Sequence, residues 1–378
     1  MDKAAKPDSE LTRDPHAIVS DSPDADAAGD IAAGDAPLVI DGGVVFNMND
    51  NLRPDNTIII NQQGGDNSIC PICNLNVRDD GVFFSCAHCR AKPIHDKCGD
   101  VELTLCRSCL EAFARREKLR ERCSPLLLSV KAGGETLSFF LFAKSTLQFG
   151  RAKQKYLEKV SPPRGHHYVP RDNDIITGVL DSAGNILKGP SQCISGRHFV
   201  LRVLEYHNKE RLKAYDCGTE GKGSSCGTWI GNDVLPKARW TDFPDDGELC
   251  MGKSPDLLHR GLVLETAVHR NIQDENRIDC VLIKRKDALR SHHYVLVYRT
   301  AYLGLGKCAL SLGENQPTVP WGEVQYDENS SSFIYKAFPQ SPLTSEPSSP
   351  CRLTPETVIT GGDFKISVSH VAEATFTE

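Results

Sequence analysis

Between residues 70 and 109 the chain carries seven cysteines and a histidine in four close pairs: Cys70-x2-Cys73, Cys86-x2-Cys89, His95-x2-Cys98 and Cys106-x2-Cys109. A two-residue gap suits a tight knuckle, and two knuckles complete a tetrahedral site, so the eight ligands suit two Zn²⁺ ions. The spacing leaves open which pairs share an ion. Closed Cys-rich sites with no open coordination position are structural, and a fold of about 40 residues has too little core to stand without them. His88 lies between Cys86 and Cys89 but is left out of the ligand set, because the knuckle turn needs only its flanking cysteines.

This spacing resembles the RING, PHD and C1-type fingers, and the RING-like fingers of bacterial proteins. The resemblance implies a cross-brace, with Cys70, Cys73, His95 and Cys98 on one ion and Cys86, Cys89, Cys106 and Cys109 on the other. Ubiquitin-ligase activity is the alternative reading for such a finger, and Ile72 stands where ligase RINGs contact their conjugating enzyme. Against it, the last knuckle (Cys106-Arg107-Ser108-Cys109) has no proline, Leu110 replaces a common basic residue, and the Cys89-to-His95 gap is long for that class. A scaffold or peptide-docking finger is the expectation.

With 378 residues the chain has room for two or three domains. A net charge of −6, with 25% charged residues, gives no general attraction to nucleic acid or an anionic membrane, so any phosphate binding must be local. There is no 18-residue apolar run and no secretory leader, which predicts a cytoplasmic protein. Of fifteen cysteines, the eight outside the finger are scattered singly and read as small buried hydrophobes in a reducing compartment. Residues 1–65, rich in Asp, Ala, Gly, Asn and Pro, read as a disordered acidic tail. After the finger (66–110), LEAFARREKLRERC predicts a linker helix over 111–124 whose Arg and Lys form a solvated face.

From 125 to 268 the chain reads as short β-runs split by Gly, Asn and Asp: LLLSVKA, LSFFLFA, TLQFGR, HFVLRVLEY, RLKAYDC, GTWIG, GELCMG and GLVLETAV. That pattern predicts an antiparallel sandwich. At the ends of those runs stand Gly150-Arg151, Ser195-Gly196-Arg197-His198 and Ser224-Ser225-Cys226-Gly227-Thr228. An arginine, two serines and glycine-freed backbone N–H groups on neighbouring loops can hold a dianionic phosphoryl group.

The three-part pattern resembles the forkhead-associated (FHA) domain, a β-sandwich that binds phosphothreonine peptides. The resemblance implies that Arg151 and Ser195 contact the phosphate and that Ser225 helps hold it. Gly227, Thr228 and Asn232 would belong to the peptide-binding turn, Gly150 would let the chain place Arg151, and His198 would tie the loops together. Two departures stand out: Cys226 replaces the family's peptide-anchoring asparagine, and Gly231-Asn232 inverts the usual Asn-Gly.

After a charged joint (269–277) further β-runs follow, DCVLIKR, HHYVLVYR, AYLGLGK, GEVQYDE, SSFIYKAF and DFKISVSHV, which predict a second sandwich over 277–378. TLQFGR lines up with YLGLGK and SGRHFVLRVLEY with TVPWGEVQYDEN, suggesting a degenerate FHA-like repeat. Lys307, Thr318 and Trp321 then replace the arginine, serine and histidine, so this copy is not expected to read phosphate.

No P-loop, HExxH helix, Gly-x-Ser-x-Gly elbow or kinase signature is present. The expectation is a non-enzymatic, mainly β protein: a disordered tail, a cross-brace finger with two structural Zn²⁺ ions and two antiparallel sandwiches. It would act as a phosphothreonine-peptide adaptor for a threonine-phosphorylated protein in Ser/Thr kinase signalling. The alternatives are a RING-type ligase aimed at phosphorylated substrates, or a structural subunit with a vestigial pocket. Nothing in the sequence fixes the oligomeric state.

Overall fold

A computed structural model describes residues 39–40, 44–45, 69–76, 83–120, 125–132, 135–151, 173–178, 191–206, 208–253, 261–286, 292–346, 349–371 and 374–375. The N-terminal unit, 1–47, contributes one small hairpin, Val39–Ile40 against Val44–Val45. All that follows concerns the second unit, 48–378. The rest of the acidic tail and the 153–171 insertion lie outside the described residues. Among those residues the fold is mainly β, with one α-helix, Arg107–Arg120.

The sandwiches are not laid out one after the other as the sequence suggests. One eleven-stranded sheet runs through both, in the order 233–234, 228–230, 246–251, 262–270, 278–285, 292–297, 135–142, 126–132, 364–370, 358–361, 344–346. A six-stranded sheet, built on Thr146–Gly150, Phe199–Tyr206 and Lys209–Asp216, packs over part of one face. A five-stranded sheet, built on Thr300–Leu305, Val319–Asp327 and Ser332–Ala337, packs over part of the other.

Strands are exchanged between the halves. Leu126–Ala132 pairs with Phe364–His370 of the second half, while Ile278–Arg285, the first run after the charged joint, pairs with Leu262–Arg270 of the first. The joint is therefore a hairpin loop, closed by Asn271 N–H to Arg277 C=O at 2.9 Å, and not a boundary between domains. The shared strands explain their own composition: Val281, Ile283, Tyr294, Leu296, Phe140 and Phe142 face one core, while Cys280, Leu282, Val295, Val297, Phe139 and Leu141 face the other. A strand buried on both faces reads as a continuous apolar run, as VLI, YVLV and FFLF do.

The two smaller sheets share a local strand arrangement. In the six-stranded sheet Thr146–Gly150 pairs antiparallel with Phe199–Tyr206 and parallel with the short Ile175–Ile176; in the five-stranded sheet Thr300–Leu305 pairs antiparallel with Val319–Asp327 and parallel with Leu310–Ser311.

The finger is built into the first half rather than tethered to it. Phe84, Ile94, Leu103, Leu105 and Leu110 share a core with Val200, Leu204, Tyr206, Tyr215 and Trp240 on the back of the six-stranded sheet. The Tyr206 hydroxyl donates to the Leu103 carbonyl at 3.0 Å. The helix starts at the last knuckle, earlier than its sequence suggests, and its basic face is not wholly solvated. Arg120 is only 4% exposed, stacks on the Tyr326 ring at 5.4 Å and, with Arg116, donates to Glu328 in the second half. Glu117 accepts from the Ser145 N–H at 2.8 Å, so this single helix braces the finger against both halves.

Candidate functional site

The finger's eight side chains fall into two groups, Cys70, Cys73, His95, Cys98 and Cys86, Cys89, Cys106, Cys109, with the ligand atoms of each group within 4.8 Å of one another. This is the interleaved pairing. Each of the first two knuckles is turned by a residue of positive φ just past its second cysteine, Asn74 and Arg90, whose N–H groups return to the Cys70 and Cys86 carbonyls at 2.9 Å. A tetrahedral ion with bonds of ~2.3 Å to sulfur sets sulfurs about 3.8 Å apart. The Cys86–Cys109 and Cys89–Cys106 separations are 3.8 and 3.7 Å, and His95 Nδ1 lies 3.3 Å from Cys73 Sγ.

The electrostatics agree with that geometry. Burial and the neighbouring Cys73 and Cys70 sulfurs push Cys98 up to about 12, and burial pushes Cys106 up to about 11. Packed thiols of this kind cannot all ionise without a cation among them, so the donor set fits two ions such as Zn²⁺. His88 is no ligand; it packs edge-on against Phe113 and faces Glu205 at 3.6 Å.

A second constellation forms at one end of the first half, where three loops meet. Arg151 follows strand Thr146–Gly150. Its N–H donates to the Ser195 carbonyl at 3.1 Å and its Nε–H to the Ile194 carbonyl at 3.0 Å, which orients the guanidinium; among the described residues its terminal nitrogens have no further partner. Gly150 is required here by close approach: a Cβ would lie 2.2 Å from the Gly196 carbonyl oxygen and 2.5 Å from the Asn173 amide.

His198 joins the loops. Its Nδ1 accepts from the Ser195 N–H at 2.9 Å, so Nε2 carries the proton and donates to the Gly227 carbonyl at 3.3 Å. The ring is fully buried, and burial pulls it down to about 4 despite the opposing charge of Asp216. It is thus a neutral bracket with a fixed tautomer, holding the Ser195 loop to the loop of Ser225 and Gly227.

Asp216, also fully buried, was not singled out by sequence. One carboxylate oxygen accepts from the Ser224 N–H at 2.6 Å and the other from the Ser224 hydroxyl at 2.8 Å, which sets the turn that delivers Ser225 to the surface. Asp174 binds the Lys144 ammonium and accepts from the Gln148 N–H at 2.9 Å. No spacing rule marks either carboxylate, because each partner belongs to a different loop or strand.

Ser225 is exposed and Ser195 half-buried, with its hydroxyl uncommitted among the described residues. Lys237 is exposed and reaches the Ser225 carbonyl at 3.4 Å, so cations cluster here on a chain that is negative overall. Two residues expected to touch a peptide do not face outward. Thr228 opens strand Thr228–Ile230 pointing inward and is fully buried, and the Gly227 carbonyl is taken by His198. Alternation along the strand turns Trp229 outward instead, under the Lys253 ammonium at 4.6 Å. Asn232 is exposed at the tip of the two-residue hairpin that joins Trp229–Ile230 to Asp233–Val234. Gly231, at φ +58°, takes the first central position, where a II′-type turn needs glycine, and that accounts for the inverted Gly-Asn order.

The fold and its sites thus define a mainly β protein with a finger shaped for two metal ions and a buried histidine that brackets a cluster of cationic and hydroxyl side chains. No family model matches the chain, and no curated protein is significantly similar to it. Among solved structures, full-length yeast Pml1p is similar over 39% of this chain and 85% of that chain, at 17% sequence identity and a TM-score of 0.21. Likeness of that degree bears on neither the fold nor the function.

Proposed function

We propose that this protein is a phosphothreonine-peptide-binding adaptor in Ser/Thr kinase signalling, with FHA-like loops that capture the phosphoryl group and a finger that holds two structural Zn²⁺ ions. The observation that carries this reading is the bracket of His198, which fixes the Ser195 loop, with Arg151 hydrogen-bonded to it, beside the loop of Ser225. A guanidinium and two hydroxyls held by buried groups form a pre-organised receptor for a dianion, and little ordering cost remains when it binds. The adaptor turns nothing over. Its partner is a protein phosphorylated on threonine, and the zinc-loaded finger supports the back of the reading sheet.

The test is capture from a phosphothreonine-peptide library by the full-length, zinc-loaded protein and by Arg151→Ala, each against unphosphorylated controls. Charge-assisted hydrogen bonds contribute about 1.5–3 kcal/mol, so Arg151→Ala is expected to weaken capture at least about tenfold. Failure of the folded wild-type protein to distinguish phosphorylated from unphosphorylated peptides would overturn the reading.

A further inference from the structure

Where the five-stranded sheet meets the shared eleven-stranded sheet, a cleft of about 680 Å³ opens between them, a volume in the range of sites that take small molecules. Register sets its floor. Asp246 pairs with Ala267 and Ala267 with Leu282, while Glu248 pairs with Glu265 and Glu265 with Lys284, so these side chains share one face of the sheet. Ala267 and Leu282 border the second core and make the middle of the floor apolar. The wall is the loop after strand Thr300–Leu305. It is pinned at both ends, by the Gly306 N–H to the Gly313 carbonyl at 2.9 Å, the Leu312 N–H to the Gly304 carbonyl at 2.8 Å and the Lys307 N–H to the Thr318 hydroxyl at 3.0 Å.

Most charges around the cleft pair within the protein. The Lys286 ammonium lies 2.9 Å from Glu248 and 3.2 Å from Glu265, and Lys284 binds Glu314. Two do not. Asp246 on the floor and Lys307 on the wall are both exposed, and neither side chain has a hydrogen bond or ion pair among the described residues. His269 also lines the cleft, and its Nε2 is buried with no hydrogen-bond partner among the described residues. Burial pulls this imidazole below its usual range, so it meets a ligand as a neutral polar group.

We propose that this cleft binds short peptides with free ends: Lys307 takes the carboxylate, Asp246 takes the ammonium, and the middle of the peptide lies on Ala267 and Leu282 with a backbone polar group at His269 Nε2. A ligand of one sign would answer only one of the two unpaired charges, whereas a zwitterion answers both. Length follows from the sheet. Asp246 and Leu282 stand two strands apart, about 10 Å at 4.7–4.9 Å per strand. An extended chain covers about 3.3–3.6 Å per residue, so a di- or tripeptide of roughly 7–10 Å matches the floor. None of these residues lies on the loops of Arg151, Ser195 and Ser225, so this site stands apart from the phosphothreonine reading.

The experiment titrates the full-length, zinc-loaded protein by isothermal calorimetry with the tripeptide Ala-Leu-Ala and with its N-acetyl and C-amide forms. The expected result is saturable binding of the free tripeptide, weakened about fivefold by either cap, the upper range for an exposed ion pair. Lys307→Ala is expected to weaken the free tripeptide by about the same factor and to make binding indifferent to the amide. Asp246→Ala is expected to make it indifferent to the acetyl group. Both side chains are exposed, so both variants should keep the wild-type melting temperature. No binding of Ala-Leu-Ala to the folded wild-type protein, or binding that ignores both caps, overturns the proposal. Sensitivity to the amide that persists in Lys307→Ala also overturns it, because the carboxylate would then be held elsewhere.

Discussion

A fragment spanning 125–268 has the length and strand-like runs of a self-contained sandwich, and the exchange of strands predicts that it does not fold. Removing everything after 268 takes away Ile278, Val281, Ile283, Tyr294 and Leu296, all buried in the first core. Burial of a large apolar side chain stabilises by about 1.5–3 kcal/mol, so these five contribute roughly 8–15 kcal/mol. That equals the whole net stability of an ordinary domain, about 5–15 kcal/mol. The cut also removes Phe364–His370, the hydrogen-bonding partner of Leu126–Ala132. The assay compares 111–268 with 111–378 by near-UV circular dichroism and thermal denaturation. The longer chain is expected to melt cooperatively and the shorter one to lack a transition. A cooperative transition in 111–268 would refute the reasoning, because 126–142 would then be filling the place that 278–297 occupies in the full chain.

Two further perturbations probe the site and its support. His198 falls from 6.5 to about 4 on burial, so the unfolded chain takes up the proton first; its contribution is complete above about pH 6.5 and drains away as the pH falls through about 4, by about 3 kcal/mol in total. Denaturant titrations across that window should show the slope, and His198→Gln should flatten it; an equal slope in both proteins would exclude His198 as its source. Chelation should lower the melting temperature of the sandwich as well as the finger, since Val200, Leu204, Tyr206, Tyr215 and Trp240 share the finger's core. Calorimetry that shows an unchanged sandwich transition beside a lost finger transition would contradict the shared core.

The sequence showed which residues would form strands and ligands far better than it showed which strands would meet. The four Cys/His pairs were legible because local spacing carries their chemistry, whereas Arg151, Ser195, His198 and Ser225 were singled out through a resemblance, and the structure sets them on adjoining loops. HFVLRVLEY and RLKAYDC were legible as β-runs, and the short turn between them leaves Phe199–Tyr206 little choice but to pair with Lys209–Asp216. The exchange was not, because VLI, YVLV and FFLF declare themselves buried on both faces without naming their neighbours. HRNIQDENR has the charge of a linker and the geometry of a hairpin, and composition does not separate the two. Thr228 was misplaced for a different reason: the motif located the turn, but the pleat of the strand decides which side chain leaves it facing water. Asp216 depends on loops that converge only after folding.

The exchanged strands also impose an order on synthesis. Residues 126–142 leave the ribosome long before their partner 364–370, and the position beside Leu262–Arg270 becomes available before 278–297 emerge to fill it. At about 5–20 residues per second, the interval between the early strands and their true partner is on the order of ten to fifty seconds. During that time the nascent chain holds long apolar segments with a wrong strand within reach and the right one not yet made. A pause in translation after 270 would favour the wrong pairing, whereas the short loop to 278 keeps the window for it brief.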